Sequence, residues 1–509
     1  MPVCPARYTD GGSRLWRLLA GVALVASMSG RRDPSEPPTR SRRCQVCGAL
    51  QLGHDAPRLS YVVHASNRWM HMNAQERILM NKNGSTTANP VILKGASVFD
   101  GVDFLPGPSD VVFDGDRVLE VGPGLADSDV YGASTIVDCS GKTVLPGIID
   151  LHVHVNHSSA GSLNTFTEPF SLQFYESVKH LESTLRAGVT TVRDAGGADL
   201  GAKLAVDRGI IRGPRMRIAI SLMSQTGGHG DNWMVSGAHS PGLAAHPGRP
   251  SGVADGVEEV RRVARQILRA GADQIKICST GGVLSPADDP RHAQFTEREI
   301  EVVVEEAAAQ GRYVMAHAQA AAGIKNALRA GVRSIEHGIY LDDEAIELFL
   351  DRGAYLVPTL AAPLNVIRKA EAGGSGWPAQ VIEKTRMVVD IHRESIAKAA
   401  AAGVRIAMGT DSGVGEHGQN LEELALLAGV GMDLQAVLRA STSVAGELIA
   451  PENSVGQLRP GFFADAVVLE GELTSTEQLA DLPEKVQQVW KDGRLQVGTR
   501  ISPEKSASV

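Results

Sequence analysis

At 509 residues, with 43% hydrophobic and 4% aromatic content, the chain is longer than one large domain needs, and a second, smaller domain is expected. Its net charge of −8, with no basic cluster in the regular part, argues against nucleic-acid binding and points to a small-molecule substrate. Five scattered cysteines form no disulfide framework.

Residues 1–85 read unlike the rest. Arg7, Arg14 and Arg17 precede an apolar run from Leu18 to Ala26, too short to span a bilayer but long enough for a signal-peptide core. Arg31 to Arg43 has the composition of a disordered segment. The expected reading is an unfolded leader, or a true start further on at Met72 or Met80, which leaves the protein in the cytoplasm; export is the alternative. Cys44-x-x-Cys47 lacks the second pair of a zinc ribbon and reads as incidental. No later stretch qualifies as a transmembrane helix, so no membrane partner is expected.

From Pro90 the chain becomes regular. Val91 to Phe99, then Asp110 to Gly122 with an Asp-Gly turn, read as a strand and a hairpin. Phe463 to Leu469 and Val489 to Val497 repeat the pattern near the other end. Strand-rich ends flanking one α/β core suggest a small composite β-sandwich built from 86–145 and 446–500 around a core at 146–445.

Within that core, strand and helix signals alternate, as a parallel barrel requires. Candidate strands lie at 148–155, 190–195, 216–221, 273–279, 313–318, 334–338, 355–360 and 405–410. Helical patterns separate several of them, as from Val257 to Leu268, where apolar residues recur at three and four.

The first candidate strand carries His152 and His154. Residues i and i+2 of a strand share a face, so both imidazoles can bind one metal ion. Lys276, His317, His337 and Asp411 then stand at or near the C-terminal ends of later candidate strands, where the loops of a barrel build its site. Each alone has an ordinary structural reading, a satisfied histidine or, for Asp411, a helix cap. Their joint order points to a metal centre. Ser224 to Asp231 sets His229 among glycines, from which it can donate to a substrate carbonyl or carboxylate; loop stabilisation is the plainer alternative. Thr280 to Val283 offers backbone N–H groups to an anion. Cys278 reads as core, and Arg291 and His292 as surface loop residues.

This constellation resembles the amidohydrolase superfamily over roughly residues 88 to 500. The resemblance implies a (β/α)8 TIM-like barrel holding two divalent ions, with zinc expected from the ligand types. His152 and His154 would bind the more buried ion with Asp411, and His317 and His337 the second. Lys276, carboxylated by carbon dioxide, would bridge them as a carbamate. An ammonium has donors only and ligates nothing, whereas a buried lysine between two cations loses its proton readily and becomes able to react.

The octad around His229 is similar to the branch containing imidazolonepropionase-like proteins, Xaa-Pro and Xaa-Arg dipeptidases and ochratoxin-hydrolysing amidases, where it lies beside the metals. The implied activity is cleavage of an amide bond in a small substrate, such as a dipeptide or N-acyl amino acid. A metal-bridging hydroxide would attack, and Asp411 would take its proton and pass it to the leaving nitrogen. A homo-oligomer is expected. A cyclic amidase of the imidazolonepropionase type is the alternative, but it generally uses one metal, which fits Lys276 poorly. Deamination is disfavoured because Ala320, not a Glu, lies three residues after His317, although Glu336 beside His337 keeps it in view. A non-catalytic scaffold would have lost ligands that this chain retains.

Overall fold

The computed structural model describes residues 89–157, 166–231, 233–234, 236–239, 244–285, 288–373, 377–449 and 454–498. The leader, Cys44, Cys47, Met72 and Met80 lie outside these residues. The described chain opens with Val91–Val98 (β1), Ser109–Asp114 (β2), Arg117–Gly122 (β3), Thr135–Asp138 (β4) and Thr143–Pro146 (β5). The core strands are Ile148–Val153 (β6), Val189–Asp194 (β7), Arg215–Ile218 (β8), Leu222–Met223 (β9), Ile275–Cys278 (β10), Val314–Ala318 (β11), Ser334–His337 (β12), Tyr355–Val357 (β13) and Arg405–Ile406 (β14). Ala466–Leu469 (β15), Val486–Lys491 (β16) and Arg494–Val497 (β17) follow.

Both ends of the described chain share one sheet, ordered β17-β16-β15-β5-β1-β2-β3, with β4 beside β1. Leu93, Val98, Val111, Phe113 and Val118 from the first part pack with Ala466, Val468 and Trp490 from the last in one shared core, beside a smaller cluster of Ile92, Val112, Leu119 and Tyr131 from the first part alone. The predicted hairpins form. Between β16 and β17, Asp492 and Gly493 both have positive φ (51° and 66°), the tight-turn conformation that matches strand twist.

The core strands form two parallel sheets, β6-β7-β8 and β9 to β14 in sequence order. Most of their residues are buried, as in parallel sheets generally, although several are polar. Gly256–Arg269 shows why one of the intervening helices forms: Val260, Val263, Ala264 and Ile267 make a buried stripe, with Glu258 and Glu259 in its first turn and Arg269 in its last. Hydrogen bonds also run between the sheets, from Asp273 N to Ile218 O (2.8 Å) on one side and from Leu151 N to Met408 O (3.0 Å) on the other.

Three predicted strands differ from those observed. The one at 216–221 is broken between β8 and β9, where Ile220 takes φ 68°. The one at 355–360 stops at Val357, and Thr359 has φ 56°. The one at 405–410 pairs with β13 only at Arg405 and Ile406, after which the chain crosses to β6. Gly409 permits that crossing, since a Cβ there would lie 2.4 Å from Val357 Cγ1 and 2.9 Å from His152 Cβ. Among the described residues, no helix is long and apolar enough to cross a membrane.

Candidate metal centre

Strand β6 is buried throughout and delivers His152 and His154. Two residues earlier, buried Asp150 accepts from His152 N (3.0 Å), Thr410 Oγ1 (2.6 Å) and Asn420 Nδ2 (2.7 Å), tying β6 to the segment that carries Asp411. Asp411 itself sits at φ 56°, a strained conformation for a residue with a side chain, held by its N–H on His152 O at 2.7 Å. Its Oδ1 lies 3.3 Å from His154 Nε2 and 3.6 Å from His152 Nε2. One ligand atom from each of these three residues lies within 4.8 Å of the others. Asp411 Oδ1 is buried without a hydrogen-bond partner, an arrangement a cation would satisfy.

Each candidate imidazole holds one ring nitrogen against a protein oxygen. His152 Nδ1 meets Glu336 Oε2 (2.8 Å), His154 Nδ1 meets Gly196 O (2.7 Å), His337 Nδ1 meets Thr359 Oγ1 (2.7 Å) and His317 Nε2 meets Gly281 O (3.1 Å). A nitrogen so tied leaves its partner as the lone-pair donor, the usual outer support of a metal-binding histidine. The ring centroids of His152 and His337 are 5.1 Å apart, and those of His337 and His317 4.7 Å. Lys276 is buried, with Nζ 3.3 Å from His152 Nε2.

The electrostatics favour ligating forms. Burial drives His152, His317 and His337 well below the usual imidazole range, hence neutral. Burial likewise lowers Lys276. Burial alone would raise Asp411, but its contacts with the His152 and His154 imidazoles outweigh it and hold the carboxyl low. His154 goes the other way: its contact with Asp411 outweighs burial and raises it.

His229, on the loop after β9, reaches this cluster and stacks on His317 with centroids 4.1 Å apart. The N–H groups of Gly281 and Gly282 are already engaged, by His292 O at 3.0 Å and Asp288 Oδ2 at 3.2 Å, which corrects their reading as a substrate-anion cradle. Arg291 pairs with Asp289 at the surface, and Cys278 is buried, as read.

Several supporting residues escaped the sequence reading. Glu336 is no free acid: it pairs with Arg193 Nη2 at 2.9 Å as well as with His152, all fully buried. Asp194 accepts from Val155 N (2.9 Å) and Gly196 N (3.0 Å), shaping the loop whose carbonyl meets His154. The stacked rings of His180 and His417 hold Val155 O (2.8 Å) and His157 O (2.9 Å), just beyond His154. A usable signal existed for Asp150, a charge inside an apolar run with the parity of His152.

The pattern that defines the amidohydrolase family matches residues 143–496, so this chain belongs to that family, and it is a hydrolase acting on carbon–nitrogen bonds. Ochratoxinase from Aspergillus niger is 34% identical over 373 residues, covering 71% of this chain and 77% of the relative. Among solved structures, a prolidase bound to N-methylphosphonate-L-proline is 37% identical with a TM-score of 0.74, covering 81% of this chain and 100% of its own. An Xaa-Pro dipeptidase with methionine in its active site is 32% identical with a TM-score of 0.72, covering 80% and 100% respectively.

Proposed function

We propose that this protein is a binuclear metal-dependent amidohydrolase cleaving the amide bond of a small substrate, a dipeptide or an N-acyl amino acid, within a (β/α)8 barrel. The barrel reading rests on the hydrogen bonds that join the two parallel sheets on both sides. Residues 86–145 and 446–500 then form the second domain around it. The relatives described as a prolidase, an Xaa-Pro dipeptidase and an ochratoxinase support the substrate class.

The observation that carries the proposal is a run of four buried or nearly buried imidazoles, each tied by one nitrogen: His154 and His152 face Asp411, Lys276 lies beside His152, and His337 and then His317 follow ring to ring. His152, His154 and Asp411 would hold one ion, His317 and His337 the other, and Lys276 as a carbamate both. Bound there, two divalent cations, zinc by ligand type, supply an acidified water and polarise the scissile carbonyl. Asp411 takes a proton from the attacking water and returns it to the leaving nitrogen. His229 meets the substrate from the loop beside His317.

Glu336 lies between Arg193 and His152, which removes the group that kept deamination in view. Lys276 beside His152 Nε2 speaks against a one-metal cyclic amidase. Cytoplasmic residence and homo-oligomeric assembly belong to the same reading, without nucleic-acid or membrane partners; fractionation and light scattering check the first two.

Elemental analysis of protein purified without chelator, joined to a hydrolysis screen over dipeptides, N-acyl amino acids and lactones, tests the proposal. Two divalent ions per chain and turnover of a dipeptide or N-acyl amino acid are expected. A content near zero after zinc and bicarbonate supplementation would sink the binuclear model, and one ion per chain would favour the cyclic amidase.

A further inference from the structure

We propose that Asp288, clamped by Lys384, is a positioning residue that sets the tautomer and orientation in which His229 meets substrate. The proposal rests on the amidohydrolase reading above and deepens its account of the loops. His229 is sandwiched: one face lies on the His317 ring, with an interplanar angle of 15°, and Gly282 backs its ring so closely that a Cβ there would fall 2.3 Å from His229 Cε1. Only glycine at 282 leaves room for the ring. The sandwich sets the plane of the imidazole but not its proton.

The proton is set by the edge contacts. His229 Nδ1 lies 3.0 Å from Ser285 Oγ and 3.3 Å from Asp288 Oδ2. Ser285 donates its only hydroxyl proton to Asp288 Oδ1, so Nδ1 must itself be the donor toward this pair. Nε2, on the opposite edge, is then left with its lone pair, so toward substrate His229 accepts, which reverses the donor role that the sequence suggested. Asp288 also accepts from Gly282 N and from Gln294 Nε2 (3.3 Å), while Gln294 Oε1 accepts from His229 N at 2.9 Å. One amide thus couples the carboxylate to the His229 backbone.

Lys384, from the helix Ala379–Ala401, donates to Ser285 O (2.8 Å), Gly282 O (3.3 Å) and Asp288 O. A helix cation therefore gathers the loop that carries the carboxylate. Burial alone would raise Asp288, but its contact with His229 and the bonds from Ser285 and Gly282 N outweigh this and hold the carboxyl low, so it acts as an acceptor.

Asp288→Asn keeps the shape, but the Gly282 and Gln294 donors hold its amide oxygen at the Oδ2 position, so its NH2 meets Ser285 Oγ and frees that hydroxyl to donate to Nδ1, which favours the opposite tautomer. On the best dipeptide or N-acyl amino acid from the screen, Asp288→Asn should lower kcat by about tenfold to a hundredfold. KM should change less than about threefold, with metal content unaltered. Lys384→Met, remote from the ring, should give a smaller loss of the same kind. Neither change should cost anything further in a His229→Ala background, because the effect acts through that ring. Wild-type kinetics in Asp288→Asn, or losses additive with His229→Ala, would overturn the proposal.

A second readout does not need turnover. In zinc-loaded, 15N-histidine-labelled protein, the signal lost in His229→Ala should show the proton on Nδ1, and Asp288→Asn should move it to Nε2. A wild-type proton on Nε2 refutes the dyad whatever the screen yields. The expected tautomer without hydrolysis of any screened compound leaves the dyad standing and the substrate reading refuted.

Discussion

The cluster of His152, His154 and Asp411 and the pair of His317 and His337 are held by different chemistry. The first rests on charge: Glu336 with Arg193 behind His152, Asp150 tying β6 to the Asp411 segment, and Asp194 shaping the loop that meets His154. The second rests on neutral groups in loops, the carbonyl of Gly281 and the hydroxyl of Thr359. A buried charged network is costly to break, because removing one member strands its partner without solvent. The first half is therefore the preformed part of the site. The second follows the loops after β10 and β13.

On the proposed function Lys276 bridges the two halves, and changing it should have the largest effect. Lys276→Ala is expected to lose both activity and metal, and short carboxylic acids should restore part of each by taking the bridging position. Lys276→Arg should not substitute, since a guanidinium stays protonated and cannot accept carbon dioxide. Rates and elemental analysis on the same preparations check this; full activity in either variant refutes the bridge.

Within the second half, ligand and substrate contact are separable. His229→Ala should lower kcat/KM by one to three orders of magnitude, roughly 1.4 to 4 kcal/mol of transition-state stabilisation, with metal content unchanged. His317→Ala should lose activity and metal together. If His229→Ala keeps wild-type kinetics, the loop is only structural.

The smallest effect probes the support beneath His337. Glu423 accepts the N–H groups of Leu360 and Ala361, each at 2.8 Å, immediately after the Thr359 that holds His337. Burial pushes its carboxyl up to about 8 from the ordinary 4.5. The folded state thus binds this proton more tightly than the unfolded chain does. The resulting stability is full below the unfolded value and lost as pH rises through about 8. Thermal unfolding should show Tm falling between pH 5 and 8 by more in the wild type than in Glu423→Gln. Equal falls would show that Glu423 ionises in the fold as it does in water.

The site was legible where chemistry and spacing coincide. His152 and His154 share a strand face by the period of two, and Lys276, His317, His337 and Asp411 each close an apolar run. The supports were less legible. Glu336 looked like a free acid beside His337, yet period two sends neighbouring side chains to opposite faces, and it meets a histidine 184 residues away instead. His229 was visible through its glycines, but Asp288 sits in an ordinary polar loop with nothing local to mark it.

The sequence by itself determined the alternation of strands and helices, the Asp-Gly turns, the order of the candidate ligands and the family they resemble. Those features follow from backbone geometry and residue type within a few positions of each other. Only the tertiary structure decided which nitrogen of each imidazole is tied, where the predicted strand at 405–410 leaves β13 for β6, and that His229 stacks on His317. Those outcomes depend on strands and loops remote in sequence packing side by side, and no local periodicity specifies which side chains then meet.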